Sequence, residues 1–133
     1  MLWTRFDKKN WIRGGSKINK RQTGTEYEGK AVSYLQRNGV KIVTCNFRNR
    51  YGEIDIIGYD GDYLVFFEVK YRKNNIKGNP AEAVTFHKRH KICRVADYYR
   101  MKYGIHEFVP MRFDVISICG EEIQWLRNAF VYC

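Results

Sequence analysis

The chain has 133 residues, which is long enough for one domain with its own hydrophobic core. Apolar residues make up 44% of it, which excludes general disorder, and no apolar run approaches the roughly 20 residues that span a bilayer. Because the first residues also lack the apolar core of a secretory signal, we expect a cytoplasmic protein that does not contact a membrane. The formal net charge of +10 predicts a polyanionic partner, most simply nucleic acid.

The positive charge is concentrated at the N-terminus. Residues 1–22 hold seven Lys or Arg and one Asp, so +6 of the net charge of +10 lies there. We expect a flexible basic tail over 1–22 and a folded domain over 23–133. The aromatic residues Trp3, Phe6 and Trp11 lie among these charges, where they could stack on exposed bases or pack onto the domain. A tail that only improves solubility is the alternative.

The first half of the domain reads as a helix followed by three strands. Apolar residues recur at helical spacing over 25–38, and Gly39 follows, so a helix is predicted there. Alternating apolar residues then predict three strands, over 41–47, 53–59 and 62–71. The second and third strands are joined by Asp60-Gly61, a strong hairpin signal.

The second half begins with a long helix. Its start is indicated by Asn79 at the N-cap, Pro80 at the first helical position and Glu82 at the third. We expect it to run to about Tyr103 and to end at Gly104. Two closing strands are predicted, over 112–119 and 122–131. The order αβββα followed by ββ predicts an α/β fold with a mixed sheet and helices packed on it.

The third predicted strand contains two charges, Glu68 and Lys70, in an otherwise apolar run. A buried unpaired charge is costly, so such residues usually have a partner or a function. If Tyr59 pairs with Asp62 across the turn, Asp55 lies on the same face as Glu68 and Lys70. The Cβ atoms of Asp55 and Glu68 are then diagonal neighbours, about 7 Å apart. The opposite face is predicted to carry the apolar residues Ile54, Ile56, Val65, Phe67 and Val69.

Asp55 and Glu68 in these positions could converge on one hard cation. Mg²⁺ takes oxygen ligands, tolerates one or two carboxylates and keeps several waters. The carbonyl of Val69 could supply a further oxygen, and Lys70 could hold the scissile phosphate or orient an attacking water. The alternative is a surface salt-bridge ladder formed by the same three charged side chains.

Two helical residues are further candidates for this site. Glu28 lies on the apolar side of the first helix. Thr25-x-x-Glu28 also fits a capping box, and Thr23-x-x-Glu26 offers the same box two residues earlier. Lys88 lies on the apolar stripe of the second helix, where a lysine often extends past the edge of the core into solvent. A catalytic and a structural role are therefore both open for Glu28 and for Lys88.

Taken together, these segments resemble the PD-(D/E)XK nuclease superfamily. The superfamily pattern is matched by Gly52-Glu53-Ile54-Asp55 and by FFEVKYR at 66–72, which contains Glu68-Val69-Lys70. Further segments that match a narrower family are Gly24, Glu28-Gly29, Asn46-Phe47-Arg48 and Arg112-Phe113-Asp114-Val115. More narrowly, residues 23–131 resemble the YraN-like family of small bacterial predicted endonucleases, which is related to archaeal Holliday junction resolvases. The proline that precedes the aspartate in the superfamily is replaced by Ile54, and the YraN-like pattern also has an aliphatic residue there.

The resemblance implies a restriction endonuclease-like α/β core, a central mixed β-sheet flanked by helices in the order αβββαβ. It also implies that Asp55 and Glu68 bind the metal, that Lys70 acts on the attacking water or the phosphate, and that Glu28 is an auxiliary acid. Lys88 falls where related nucleases often place a polar helix residue.

The function implied by the resemblance is an endonuclease that depends on Mg²⁺, with Mn²⁺ as a substitute, and hydrolyses phosphodiester bonds of DNA. Branched or structured DNA is the substrate class suggested by the resolvases, and their symmetric cuts make a homodimer a candidate assembly. The alternative function is a catalytically silent nucleic-acid-binding or scaffold protein in DNA recombination, repair or uptake.

Five basic residues flank the predicted site and are candidate nucleic-acid contacts: Arg48, Arg50, Arg72, Lys73 and Lys77. Contacts from such positions to phosphates would hold a duplex without reading its sequence. A solvated charged rim is the alternative. Arg112 and Asp114 alternate with apolar residues on a strand, where we expect a structural ion pair.

Overall fold

A computed structural model describes residues 20–73 and 84–133, and it describes side chains from residue 24 onwards. The elements, in chain order, are α1 (Lys20–Arg37), β1 (Lys41–Asn49), β2 (Gly52–Asp60), β3 (Tyr63–Tyr71), α2 (Phe86–Lys102), β4 (Met111–Cys119) and β5 (Glu122–Phe130). The predicted α/β class and all five strands are confirmed. Within the described ranges no helix is both long and apolar enough to cross a membrane.

The five strands form one mixed sheet in the order β1-β2-β3-β4-β5. β3 and β4 are parallel, and every other neighbouring pair is antiparallel. The parallel pair requires a crossover connection, and α2 lies in that connection. The predicted mixed sheet with packed helices is therefore confirmed.

Among the described residues, one helix packs on each face of the sheet. The α2-side core contains Ile57, Leu64, Phe66, Ile92 and Val95 among its buried residues. The α1-side core contains Val32, Leu35, Ile56, Val65 and Phe67. Because β3 alternates between these two cores, Glu68 and Lys70 follow Leu64 and Phe66 on the α2 side.

The prediction that Ile54 and Ile56 share a face is wrong. Ile54 packs in the α2-side core and Ile56 in the α1-side core. The cause is Asn46, which has a left-handed φ of 53° and lies opposite Asp55 at a step missing from the ladder between β1 and β2. An asparagine adopts this conformation more readily than most residues, and here it turns both strands between the two faces.

Both predicted helix starts differ from the structure. α1 begins at Lys20, so Thr23 and Thr25 lie inside the helix and neither predicted capping box stands at its start. α2 begins at Phe86, because Thr85 is extended and its hydroxyl accepts the Lys88 N–H at 3.2 Å, an N-cap arrangement. The prediction of a continuous helix from position 79 is therefore wrong, because residues 84 and 85 are not helical. The end of α2 agrees with the prediction, with Gly104 at φ +60°.

Several predicted features lie outside the described residues. They are most of the basic tail (residues 1–19), the proposed helix start at Asn79, Pro80 and Glu82, and the basic residue Lys77. The tail prediction over 1–22 and the domain prediction over 23–133 both stay predictions.

The hairpin between β2 and β3 has a register two residues away from the predicted one. Asp60 pairs with Tyr63, so the turn consists of Gly61 and Asp62 rather than Asp60 and Gly61. Gly61 has φ +60° and takes the first central position, as in a type II′ turn. A shift of two residues preserves the facing of every side chain, so Asp55 still projects with Glu68.

The predicted ion pair of Arg112 and Asp114 is present. The Asp114 carboxylate is fully buried and accepts hydrogen bonds from the Arg112 guanidinium, with Nε at 2.9 Å from Oδ1, from Trp125 Nε1 and from the Asn128 backbone N–H. Arg112 also pairs with Asp60 at 2.8 Å. These contacts lie on β4, where Arg112 is opposite Val65 and Asp114 is opposite Phe67 of β3.

Candidate active site

The site lies where β2 and β3 stop pairing. Their paired residues end at Ile56 and Phe67, and the next opposing positions are Asp55 and Glu68. There the Asp55 side chain replaces a backbone partner, with Oδ2 accepting the Val69 N–H at 2.8 Å. Asp55 and Glu68 are thus directly opposed, rather than diagonal as predicted.

Two further carboxylates approach Asp55. One oxygen each from Glu28, Glu53 and Asp55 lies within 4.8 Å of the others, and all three side chains are partly buried. Glu28 comes from α1 and the other two come from β2, so the group joins a helix to the sheet. We call Glu28, Glu53, Asp55 and Glu68 the acidic cluster.

Burial, together with the neighbouring carboxylates, raises the pKa of two members of the acidic cluster. Burial raises the pKa of Glu28 to about 7, and the neighbouring Glu53 and Glu68 add to this rise, whereas a hydrogen bond from Asn46 opposes it. Burial, the hydrogen bond to Glu68 and its charge raise the pKa of Asp55 well above its usual range. Burial is the largest cause of both shifts, and repulsion from the neighbouring carboxylates adds to it.

Lys88 is paired with the most buried member of the cluster. Its Nζ lies 2.7 Å from Oε2 of Glu68, and the Glu68 side chain is only 5% exposed. Burial alone would lower the pKa of Lys88, but the hydrogen bond and charge of Glu68 outweigh this effect and raise it. Lys88 thus neutralises and holds Glu68, which is a positioning role.

Lys70 is the cation that the site leaves available. It lies two residues after Glu68 on β3 and is partly buried. Among the described residues it forms no ion pair, in contrast to Lys88. Its ammonium group could therefore contact a bound anion without first breaking a salt bridge.

The predicted nucleic-acid contacts have different surroundings. Arg48 is exposed and pairs with Glu53 at 2.6 Å, while Arg50 donates to the Tyr51 hydroxyl at 2.7 Å. The backbone N–H of Arg72 donates to the Ile118 carbonyl just beyond β3, and Lys73 is exposed. All four lie at strand ends or in turns, as predicted.

The donor set of the acidic cluster fits a hard divalent cation. Its ligand atoms are carboxylate oxygens, which Mg²⁺ and Ca²⁺ prefer. Burial and the neighbouring carboxylates disfavour the charged forms of Glu28 and Asp55 and raise the pKa of both, a cost that a bound cation would offset. Glu28, Glu53 and Asp55 are the three side chains placed to hold the ion together, and Glu68 adjoins them through Asp55.

Two residues of the site were missed from the sequence. Glu53 was not considered as a ligand, although it stands two residues before Asp55 on the same strand. Asn46 hydrogen-bonds to Glu28 and turns β1 beside Asp55. The signal for Asn46 was an asparagine within an alternating strand, since this residue type is frequent at left-handed positions.

Comparisons with known proteins give relatives along most of the chain. A family model described as uncharacterised protein family UPF0102 matches residues 27–118. A UPF0102 protein of Lachnoclostridium phytofermentans is 44% identical over 113 residues, covering 85% of this chain and 96% of the relative.

Two further relatives are similar to this chain over comparable lengths. A UPF0102 protein of Legionella pneumophila is 43% identical over 111 residues, which is 82% of this chain and 94% of the relative. Another from Enterobacter sp. is 38% identical over 115 residues, which is 86% of this chain and 88% of the relative. The residues that the family model matches include the acidic cluster and strands β1 to β3. The chain belongs to the uncharacterised protein family UPF0102, which confirms the resemblance to the YraN-like family.

Proposed function

We propose that the protein is a divalent-metal-dependent endonuclease with a restriction endonuclease-like core, and that it hydrolyses phosphodiester bonds of branched or structured DNA. One observation carries the proposal. Carboxylate oxygens of Glu28, Glu53 and Asp55 converge within 4.8 Å, and Lys70, which follows the Val69 whose N–H binds Asp55, has no ion pair among the described residues. Carboxylates that can bind a metal ion, close to a lysine that can bind an anion, suit a phosphodiester substrate.

Each residue then has a role that follows from its contacts. Glu28, Glu53 and Asp55 would hold Mg²⁺, or Mn²⁺ in its place, and the Val69 N–H keeps the Asp55 carboxylate oriented. The ion, when bound, polarises a phosphate oxygen and lowers the pKa of a coordinated water. Lys70 would stabilise the negative charge that develops on the phosphate.

DNA is the expected partner because of charge. The net charge of +10 favours a polyanion, and Lys73 and Arg50 are exposed near the ends of the strands that carry the site. Contacts of this kind go to phosphates, so they would position DNA without selecting a sequence.

The proposal is tested by a cleavage assay on a panel of four-way junctions, flaps, nicked duplexes and single strands with Mg²⁺ or Mn²⁺. We expect cleavage of at least one substrate, and a loss of at least about 100-fold in Asp55→Asn and Lys70→Met. Glu26→Gln and Lys102→Met change exposed residues of the same types and should cut like the wild type. Equal residual cutting by wild type and the site variants would refute the proposal.

A second candidate is a DNA-binding protein whose site no longer cuts. It is favoured by two internal ion pairs, because Lys88 neutralises Glu68 and Arg48 neutralises Glu53 without a metal ion. This candidate predicts salt-sensitive binding of the same DNA panel that Lys70→Met leaves unchanged, together with no metal-dependent cleavage.

A further inference from the structure

A polar cavity lies on the sheet next to the proposed active site. It has a volume of about 330 Å³ and is lined by Ser117, Cys119, Glu122, Ile123 and Gln124 from β4 and β5. We call it the β4–β5 trough. This volume is at the lower end of the range for small-ligand sites, about 300–1,000 Å³, so it suits a group the size of a single ring system.

The strand register connects the β4–β5 trough to the acidic cluster. Lys70 on β3 pairs with Ser117 on β4, and Ser117 pairs with Gln124 on β5. Paired residues project from the same face, so the three side chains form a row across the sheet. Neighbouring strands are about 4.8 Å apart, which puts Ser117 one step and Gln124 two steps from Lys70. The base of a nucleotide whose phosphate binds at Lys70 can therefore reach the trough.

The trough offers neutral hydrogen-bonding groups that make no side-chain hydrogen bond with other described residues. Ser117 is a buried polar residue, only 4% exposed, beside the apolar Val115 of the same strand face. Neither its hydroxyl nor the Gln124 side chain makes a hydrogen bond within the described ranges. A hydroxyl and a carboxamide together present donors and acceptors of the kind that read base edges. The carboxylate of Glu122 at the same cavity disfavours a phosphate there.

We propose that the β4–β5 trough binds an unpaired nucleobase next to the phosphate held at Lys70, with Ser117 and Gln124 hydrogen-bonding to the edge of the base. The inference rests on the proposed function for the position of that phosphate. A base that is stacked and paired in a duplex cannot place its edge in a cavity on the face of a sheet. The bound base must therefore be unpaired or extruded from the duplex. The substrate therefore has a single-stranded or readily opened nucleotide at the cut, which narrows the class to junction, flap and frayed DNA.

The test follows the amide resonances of isotope-labelled full-length protein by NMR, with Ca²⁺ present. A single-stranded DNA pentanucleotide should shift the backbone signals of Ser117 and Cys119 and the side-chain NH₂ of Gln124, and a blunt duplex should not. The double variant Ser117→Ala/Gln124→Ala should bind the pentanucleotide about tenfold more weakly, since two hydrogen bonds are lost. Ser33→Ala/Gln36→Ala changes the same residue types on α1 and should bind like the wild type.

The outcomes separate this inference from the proposed function. Pentanucleotide shifts in the trough that persist in Glu68→Ala support base binding even if no DNA is ever cut. Shifts confined to residues outside the trough, unchanged affinity in the Ser117/Gln124 double variant, or no binding of the pentanucleotide would each overturn the inference. An intact amide spectrum of the double variant without DNA guards against misreading a folding defect.

Discussion

Replacing Glu28 with glutamine should stabilise the metal-free protein at alkaline pH. In the folded protein burial and the neighbouring carboxylates raise the pKa of Glu28 from 4.5 to about 7. The folded state thus holds a proton that the unfolded state has released, and stability falls as pH rises through the window from about 4.5 to about 7. Glutamine has no proton to lose and does not carry this cost.

The size of the effect follows from the same two pKa values. A rise from 4.5 to about 7 corresponds to roughly 3 kcal/mol when Glu28 is fully ionised. Glu28 is only partly buried, so solvent screening reduces the expected difference to about 1–2 kcal/mol. Glu28→Gln should therefore match the wild type near pH 5 and exceed its free energy of unfolding by that amount near pH 8.

Urea unfolding in the presence of EDTA at a series of pH values measures this difference. Glu26→Gln is the matched control, because Glu26 is exposed on the same helix, and its difference from the wild type should not change with pH. Adding Mg²⁺ near pH 8 should stabilise the wild type more than Glu28→Gln, since a ligand of the ion is lost. A Glu28→Gln protein that is no more stable than the wild type near pH 8 would refute the reasoning.

Three further substitutions test the fold and the pairing of the site by urea unfolding. Asp114→Asn removes the buried one of the two carboxylates that pair with Arg112 and should cost about 3 kcal/mol, and a cost below about 1 kcal/mol would contradict the structural role of the pair. Gly58→Ala places a Cβ 2.7 Å from a backbone oxygen of β1 and should cost about 1–3 kcal/mol, whereas an unchanged midpoint would mean that β1 can shift. Lys88→Met leaves the buried Glu68 carboxylate without its cation and should cost about 1–2 kcal/mol of stability near pH 8. The double variant Glu68→Gln/Lys88→Met should recover part of this loss. If the costs of the two substitutions simply add, the two residues are not coupled.

The strands and the central pair of carboxylates were predictable from local pattern. Alternation defined all five strands, and parity alone brought Asp55 and Glu68 to one face, because a two-residue error in the turn preserves facing. The predicted turn lies one residue too early, because Gly61, rather than Asp60, takes the first central position of the turn. Local composition contains both options, and the pairing of Asp60 with Arg112 across the sheet favours the observed one.

The remaining features depend on tertiary contacts that a pattern does not encode. The left-handed Asn46 moves Ile54 to the α2 side, and no periodicity reveals such a turn within a strand. Lys88 reaches Glu68 only because the N-cap at Thr85 sets the first turn of α2 against the sheet. Glu53 has a second carboxylate beside it, in addition to Asp55, because α1 brings Glu28 close to the β2 residues Glu53 and Asp55.

Calorimetric titration of Mn²⁺ into the protein near pH 7, in buffers of different ionisation enthalpy, tests the central claim that the acidic cluster is a metal site. We predict one site, lost in Asp55→Asn and retained in Lys70→Met. We also predict proton release on binding and an affinity that rises with pH, because the pKa of about 7 leaves Glu28 partly protonated before the ion arrives. Binding that is absent, or that Asp55→Asn leaves unchanged, would contradict the account.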